Sequence, residues 1–407
     1  MKTGQTSIED IVGGVTAPKG YRAAGIHAGI KKAAPDLAML VSEPAATVAG
    51  MFTTNKVQGA TVKLCRERLA GRKASALVVN SGNANACTGH KGMADARRMA
   101  AVAAGELGTD EKTVFVCSTG TIGIPMPMDT VEAGIRKIVP LLRADGADDA
   151  LRAIMTTDTK PKQVAVRLTI GGTTVSIGGM AKGAGMIEPK MATMLAFITT
   201  DAAVQPRALQ DALARAVNMS FNRISIDGAQ SCNDTVLLFA NGAAGGETLD
   251  ANHPDWPLFE AAVYAVSFRL ATKIVEDGEG ATKFVTVRVL GAASDADAEL
   301  VARAISNSLL VKTSWFGQDP NWGRVIDAAG YSGAEMDQDR VDISYDELTA
   351  VRGGMAAPGM TKAALAEVLK RPRFTVEVNL GIGAGGCTLY TCDCSHEYVS
   401  INAEYTT

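Results

Sequence analysis

The sequence predicts an α/β protein with a smaller α/β unit towards its C-terminal end. Two observations predict it. Short apolar runs of strand length, such as Leu77-Val78-Val79, alternate with segments of helical periodicity, such as residues 93–107 and 207–217. Twice in the first third, a strand-like run ends in a loop of small polar residues that leads towards a helix. The chain has 407 residues, 47% of them hydrophobic and 20% charged, which suits two domains or one large layered core.

In chain order, residues 14–32 begin as a turn-rich edge segment. Residues 37–41 and 47–53 read as two strands separated by a Pro turn. Strand 77–79 runs into the loop Asn80-Ser81-Gly82-Asn83-Ala84-Asn85, and helix 93–107 follows. Strand 113–117 runs into Ser118-Thr119-Gly120-Thr121-Ile122-Gly123. Residues 131–143 and 148–155 have helical spacing, the second ending in Thr156-Thr157-Asp158-Thr159. Residues 164–168 and 174–177 alternate like a hairpin around Gly171-Gly172. Helix 207–217 follows Pro206, then strand, loop and strand over 224–239, then one long helix over 256–275. Asp277-Gly278-Glu279-Gly280 is a sharp acidic turn. From about 281 to 385, strands alternate with helices at 296–307 and 360–369, which defines the smaller unit. Segments 374–380, 388–391 and 398–401 supply late strands.

One stretch, 178–198, organises the chemistry. A glycine-rich basic loop containing Lys182 reaches Pro189, then Ala192-Thr193, and an apolar strand over 194–198 follows at once. A hydroxyl residue thus sits where an open loop enters a rigid core element, a place where a ligand can reach a side chain that is held still. By itself a β-branched Thr there is ordinary strand-forming sequence.

Composition narrows the function. Lys+Arg 40 against Asp+Glu 43 leaves a net charge of -3 and no broad basic field for nucleic acid. No apolar run reaches the ~18 residues of a membrane span, and residues 1–13 lack a secretory pattern. The seven cysteines are odd in number and mostly isolated, as expected of reduced thiols in the cytoplasm. Gly381-Ile382-Gly383-Ala384-Gly385-Gly386 has the letters of a dinucleotide fingerprint, but a strand rather than a helix should follow it, so it reads as a turn. Cys392, Cys394 and His396 would share one face of a strand. Their spacing is not that of a zinc knuckle, so small core residues are the expectation and no metal is assigned. The four histidines are scattered and support no triad.

What accumulates is hydroxyl groups at element ends: Ser118-Thr119, Thr156-Thr157 and Thr193. The Gly120 amide and Thr119 hydroxyl could address one developing oxyanion. A Thr nucleophile without histidine needs another base, and its own α-amino group, freed by cutting the preceding peptide bond, is one solution.

Lys182-Gly183-Ala184-Gly185-Met186-Ile187-Glu188-Pro189 with Met191-Ala192-Thr193-Met194-Leu195 resembles the self-cleavage segment of the ornithine acetyltransferases. These enzymes of arginine biosynthesis are also called glutamate N-acetyltransferases. The resemblance spans essentially the whole chain. It includes Asn80-Ser81-Gly82-Asn83, Met155-Thr156-Thr157-Asp158, Asp277-Gly278-Glu279-Gly280, Asp319-Pro320-Asn321-Trp322-Gly323-Arg324 and the terminal Asn402-Ala403-Glu404-Tyr405-Thr406-Thr407. It implies a layered sandwich of stacked sheets between helices, similar to N-terminal-nucleophile hydrolases. It also implies cleavage between Ala192 and Thr193 into an α chain, 1–192, and a β chain, 193–407, associating as α2β2.

By the same resemblance Thr193 is the nucleophile and Thr119 and Gly120 form the oxyanion hole. Thr156, Lys182, Thr193, Glu279, Asn402 and Thr407 hold substrate. The implied reaction is ping-pong transfer of acetyl from N-acetylornithine to glutamate, without a metal or redox cofactor. Acetyl-CoA is a further donor to be tested, since no nucleotide motif speaks for it. Two departures stand out: Ala229-Gln230 and Cys232 replace expected Asp-Thr and Thr, and Gly59-Ala60-Thr61-Val62 lacks an expected Pro. The rival readings are a self-cleaving β-aminopeptidase-type hydrolase, which would use Ser, and a non-catalytic amino-acid-binding homologue.

Overall fold

A computed structural model describes residues 8–188 and 194–404. Ala192, Thr193 and Thr407 therefore lie outside the described residues. Two sheets account for the strands that are described.

The first sheet is built from β1 (Glu9–Ile11), β2 (Tyr21–Ile26), β3 (Leu37–Phe52), β4 (Lys73–Asn83), β5 (Val114–Thr121), β6 (Lys162–Ile170), β7 (Thr173–Lys182), β8 (Leu195–Thr200) and β9 (Thr235–Ala240). Its order is β1-β6-β7-β8-β9-β3-β4-β5, with β2 on β3. Helices α1 (Ala60–Leu69), α2 (Gly89–Leu107), α3 (Met128–Ile138), α4 (Ala147–Ile154), α5 (Pro206–Asn218) and α6 (Trp256–Glu276) accompany it.

The long strand β3 turns the corner. Its first half pairs with β2 and β4, its second half with β9, and the register with β4 shifts between Val41 and Ala46. The two segments expected on either side of a Pro turn are therefore one bent strand through Pro44. Side-chain alternation then sorts residues into layers. Leu77, Val79, Phe115, Met180, Leu195, Phe197, Leu237 and Phe239 meet between the two halves of the folded sheet. Val78, Val114 and Val116 face α2 and α3 on one outer side. Ile177, Ala196, Ile198, Val236 and Leu238 face α5 and α6 on the other. The order is helices, sheet, sheet, helices: the stacked α/β sandwich.

The second sheet has the order β13-β12-β11-β14-β10-β15. Its strands are β10 (Phe284–Ala292), β11 (Asp342–Tyr345), β12 (Leu348–Arg352), β13 (Met355–Ala356), β14 (Arg373–Asn379) and β15 (Gly385–Cys392). Helices α7 (Asp295–Asn307), α8 (Leu309–Phe316), α9 (Trp322–Gly330) and α10 (Lys362–Lys370) pack with it, and α11 (His396–Glu404) closes the described chain. This unit has its own core around Trp315, Val287, Ile343 and Val376.

Four local expectations are corrected. Residues 398–401, read as strand from Tyr, Val and Ile, lie in α11, where Asn402 Nδ2 donates to the Tyr398 carbonyl at 2.9 Å. Cys392 ends β15 while His396 begins α11, so Cys392, Cys394 and His396 share no strand face. Residues 224–227 form no strand. Ile224 makes one isolated bridge to Tyr390, and Asp227 caps a loop instead. The polar residues at 80–83 and 118–121, read as loops, continue β4 and β5, because a parallel neighbour carries their hydrogen bonds as far as Asn83 and Thr121.

Candidate active site

Three adjacent strands bring the central stretch together. Lys182 at the end of β7 pairs with Leu195 at the start of β8, and Leu195 runs beside Thr235 of β9. Folding the sheet at β3 then carries the end of β5 over the same place. Lys182 Nζ lies 3.4 Å from Thr119 Oγ1, although 63 residues separate them.

These elements surround a cavity of about 670 Å³, a volume that takes in the open solvent at its mouth. Thr119, Gly120, Thr156, Lys182, Glu279 and Asn402 all border it. These are all the site residues singled out from sequence that fall within the described residues. Thr157, noted from sequence as a hydroxyl at an element end, joins them with Cys232 and Asn233, to which the sequence reading gave no role.

Gly120 has φ +128°, and a Cβ there would overlap the Gly82 backbone across the parallel pair β4–β5. Glycine alone fits this position. Asn233 reinforces the strand end, its Nδ2 donating to the Ser118 carbonyl at 2.7 Å and the Ala84 carbonyl at 2.6 Å.

Lys182 is 2% exposed, and burial lowers its pKa against the attraction of Asp158. Among the described residues Thr119 Oγ1 is the only hydrogen-bond partner of its Nζ. An ammonium has three donors, so capacity remains for an anion in the cavity. Asp158 organises the wall behind it. One carboxylate oxygen accepts from Lys162 Nζ at 2.6 Å and from the Gly183 amide at 2.7 Å. The other accepts from the Thr156 amide at 2.9 Å. Burial would raise this carboxyl, yet Lys182, Lys162 and the Gly183 amide together hold it down at about 2. Lys162 also reaches Asp277 at 2.5 Å, so a buried network fixes Thr156, Lys182 and the 277–280 turn relative to one another.

On the opposite wall the Glu279 amide donates to the Ala184 carbonyl at 2.8 Å, and Asn402 Nδ2 donates to Glu279 Oε2 at 2.8 Å. The loop before residue 189 is clamped twice. Asp227 accepts from the amides of Met186 at 2.5 Å and Ile187 at 2.9 Å. Glu188 accepts from Ser225 Oγ and Asn307 Nδ2, each at 2.9 Å, and from Arg303 at 3.1 Å.

Asp158, Asp227 and Asp277 were missed as site-builders, although Asp158 and Asp277 lie in motifs already noted and Asp227 in the segment read as strand, loop and strand. Their signal was an Asp beside a glycine or hydroxyl turn, and only the fold shows which amides such a carboxylate reaches. Among the described residues no group of three or more His, Cys, Asp or Glu side chains is placed to hold a metal ion. Nor is any described helix long and apolar enough to cross a membrane.

The ArgJ family profile matches residues 22–407. The chain belongs to the ArgJ family. An arginine biosynthesis bifunctional protein ArgJ from Geobacter sulfurreducens is 50% identical over 390 residues, covering 96% of this chain and 99% of the relative. Another from Symbiobacterium thermophilum is 49% identical over 403 residues, covering 98% and 100%. A solved ornithine acetyltransferase from Mycobacterium tuberculosis, complexed with ornithine, is 43% identical over 45% of this chain and 98% of that chain, with a TM-score of 0.42.

Proposed function

We infer that this ArgJ-family chain is an acyltransferase that moves the acetyl group of N-acetylornithine to glutamate in arginine biosynthesis. The observation that carries this reading is the meeting of Thr119-Gly120, Lys182 and the Glu279–Asn402 pair on one cavity, with Lys182 paired to Leu195, two residues after Thr193 in the sequence.

The roles follow from chemistry. Lys182 takes the substrate carboxylate, because a buried ammonium with donors to spare is complementary to it. Glu279 takes the side-chain ammonium of ornithine, and Thr156, Asn402 and Thr407 complete the substrate site. Thr193, made N-terminal by cleavage after Ala192, attacks the acetyl carbonyl through Oγ with its α-amino group as base. The oxyanion that forms is met by the Gly120 amide and Thr119 hydroxyl. Ornithine leaves, glutamate attacks the acetyl-Thr193 ester, and N-acetylglutamate departs. This acyl chemistry uses protein groups throughout.

Cleavage would leave β7 in the α chain and β8 in the β chain, paired from Ile177↔Thr200 to Lys182↔Leu195. That ladder supports fragments that stay together after processing. On the family resemblance and the isolated cysteines, we further propose that they associate as α2β2 and work in the cytoplasm.

Denaturing electrophoresis with N-terminal sequencing should show a fragment beginning Thr193-Met194-Leu195. Thr193→Ala should abolish both cleavage and transfer; near-wild-type transfer by that variant would remove Thr193 from the mechanism. Assays with N-acetylornithine and acetyl-CoA side by side define the donors. Release of acetate without glutamate would favour a hydrolase instead.

A further inference from the structure

Asn233 is 4% exposed on the cavity wall, in the loop just before β9, and the mechanism so far gives it no task. Its side-chain amide makes three hydrogen bonds. Nδ2 donates to the Ser118 carbonyl at 2.7 Å and to the Ala84 carbonyl at 2.6 Å, across 115 and 149 residues of chain. Oδ1 accepts from Cys232 Sγ at 2.8 Å. A neutral amide has two N–H donors, and both are spent on backbone carbonyls, so none is left for a ligand.

The two carbonyls bracket the Thr119-Gly120 pair. Peptide planarity locks the Ser118 carbonyl to the Thr119 amide, just before Gly120. On the far side the Ala84 amide donates to the Thr121 carbonyl at 3.0 Å, just after Gly120. Gly120 itself departs from strand geometry at φ +128°, and the β4–β5 register is irregular opposite it. The 119–120 peptide therefore hangs between two held points. One side chain holds the first directly and the second through Ala84.

We propose that Asn233 is the positioning residue for the oxyanion donors, gripping β5 at Ser118 and the end of β4 at Ala84 so that the Thr119 hydroxyl and Gly120 amide keep one aim into the cavity. The proposal rests on the reading of Thr119 and Gly120 as those donors. Asn233 touches no substrate atom and acts through the backbone it holds.

The surroundings keep the amide still. Burial pushes the Cys232 thiol up to about 11, so near pH 7 it stays protonated and donates to Oδ1. Cys232 stands where the family resemblance predicts Thr, and a donor is kept there. Gly59, ahead of α1, leaves the room: a Cβ there would lie 2.7 Å from Asn233 Oδ1 and 3.0 Å from Nδ2. The Asn233 backbone amide donates to Ser231 Oγ at 3.1 Å, and its carbonyl accepts from Thr235 Oγ1 at 3.1 Å. Every polar group of the residue is thus engaged within the protein, as a fixed strut requires.

Asn233→Ala in the full-length chain removes both N–H groups. Rates are taken per processed chain, counted from the fragment beginning at Thr193. With N-acetylornithine, kcat should fall roughly tenfold to 100-fold while KM stays within about twofold of wild type. Asn233→Asp fills the same space, and its carboxyl, kept protonated by burial, offers one O–H in place of two N–H, so its kcat should fall in between. Adding either substitution to Gly120→Ala should cost no more than about threefold beyond Gly120→Ala alone, since the amide that Asn233 aims is already displaced. Wild-type kcat in Asn233→Ala, a loss carried by KM, or losses that multiply in the double variant overturn the proposal. Should the Ala variant fail to fold, the Asp variant carries the same readings. Loss of folding or of processing in both also overturns it, because Asn233 then serves the fold or the cleavage and not the aim of the donors. Gly120→Ala enzyme with wild-type kcat overturns the oxyanion reading itself. That failure is distinct from an impaired Gly120→Ala beside an unaffected Asn233→Ala.

Discussion

At the scale of single residues, the site is an exercise in burying charge. Lys182 and Lys162 are almost wholly buried, and so are the carboxylates of Asp158 and Asp277. Such groups are tolerated only when paired and hydrogen-bonded. Asp158 carries most connections, so its loss should be felt in both stability and pH dependence. Its carboxyl is lowered from 3.8 to about 2, so the stabilisation it provides is complete above pH 4 and disappears as pH falls through about 2. Asp158→Asn should cost about 2 kcal/mol at neutral pH, and the gap to wild type should narrow steadily below pH 4. Thermal melts from pH 7 to pH 3 check this; a gap that stays constant would show that the charge is not the source. The sequence displayed Asp158 inside Thr156-Thr157-Asp158-Thr159 but did not single it out, because its partners at 162, 182 and 183 meet it only across β6 and β7.

At the scale of elements, periodicity was a good guide where an element buries one face. Helices α5 and α6 and the β6–β7 hairpin lie where spacing and the Gly171-Gly172 turn put them. It failed where a neighbour decides the conformation. Tyr398, Val399 and Ile401 favour strands, yet they lie in α11, where Tyr398 OH reaches Asp227 at 3.2 Å and the His396 ring packs edge-on against Phe316. The parallel pair β4–β5 similarly turns Asn80–Asn83 and Ser118–Thr121 from apparent loops into strand ends. The proposed oxyanion donors, Thr119 and Gly120, are thus held by a sheet and are better fixed than a loop would allow. Gly120→Ala tests that rigidity. A side chain at φ +128° would overlap Gly82, so kcat should drop roughly 100-fold or more with little change in KM. Steady-state kinetics with N-acetylornithine decide it, and near-normal kcat would show that this amide is not aimed at the oxyanion.

At the scale of the whole molecule, the proposed cut at 192–193 falls between two adjacent strands, β7 and β8, with the core between the sheets drawing on both sides of it. Met180 of β7 packs in the same cluster as Leu195, Phe197, Leu237 and Phe239. Processed enzyme should therefore elute as one species by size exclusion in native buffer and resolve into two chains only in denaturant. Separate elution of the fragments in native buffer would contradict the shared ladder. Glu188 ties the end of the α chain to Arg303 and Asn307 of the second unit, which adds a further link across the proposed cut.

The sequence by itself determined the α/β class, most helices, the family resemblance and six residues that border one cavity. Those properties are local: side-chain periodicity, glycine where positive φ is required, and motifs that keep their order along the chain. Tertiary structure alone decided that β3 bends through Pro44 to stack one half of the sheet on the other. It also decided that Thr119 reaches Lys182, and that Asp234 holds the Met194 amide. The physical reason is that a carboxylate's state and an ammonium's free donors depend on which distant groups share their enclosure, and sheet register sets that.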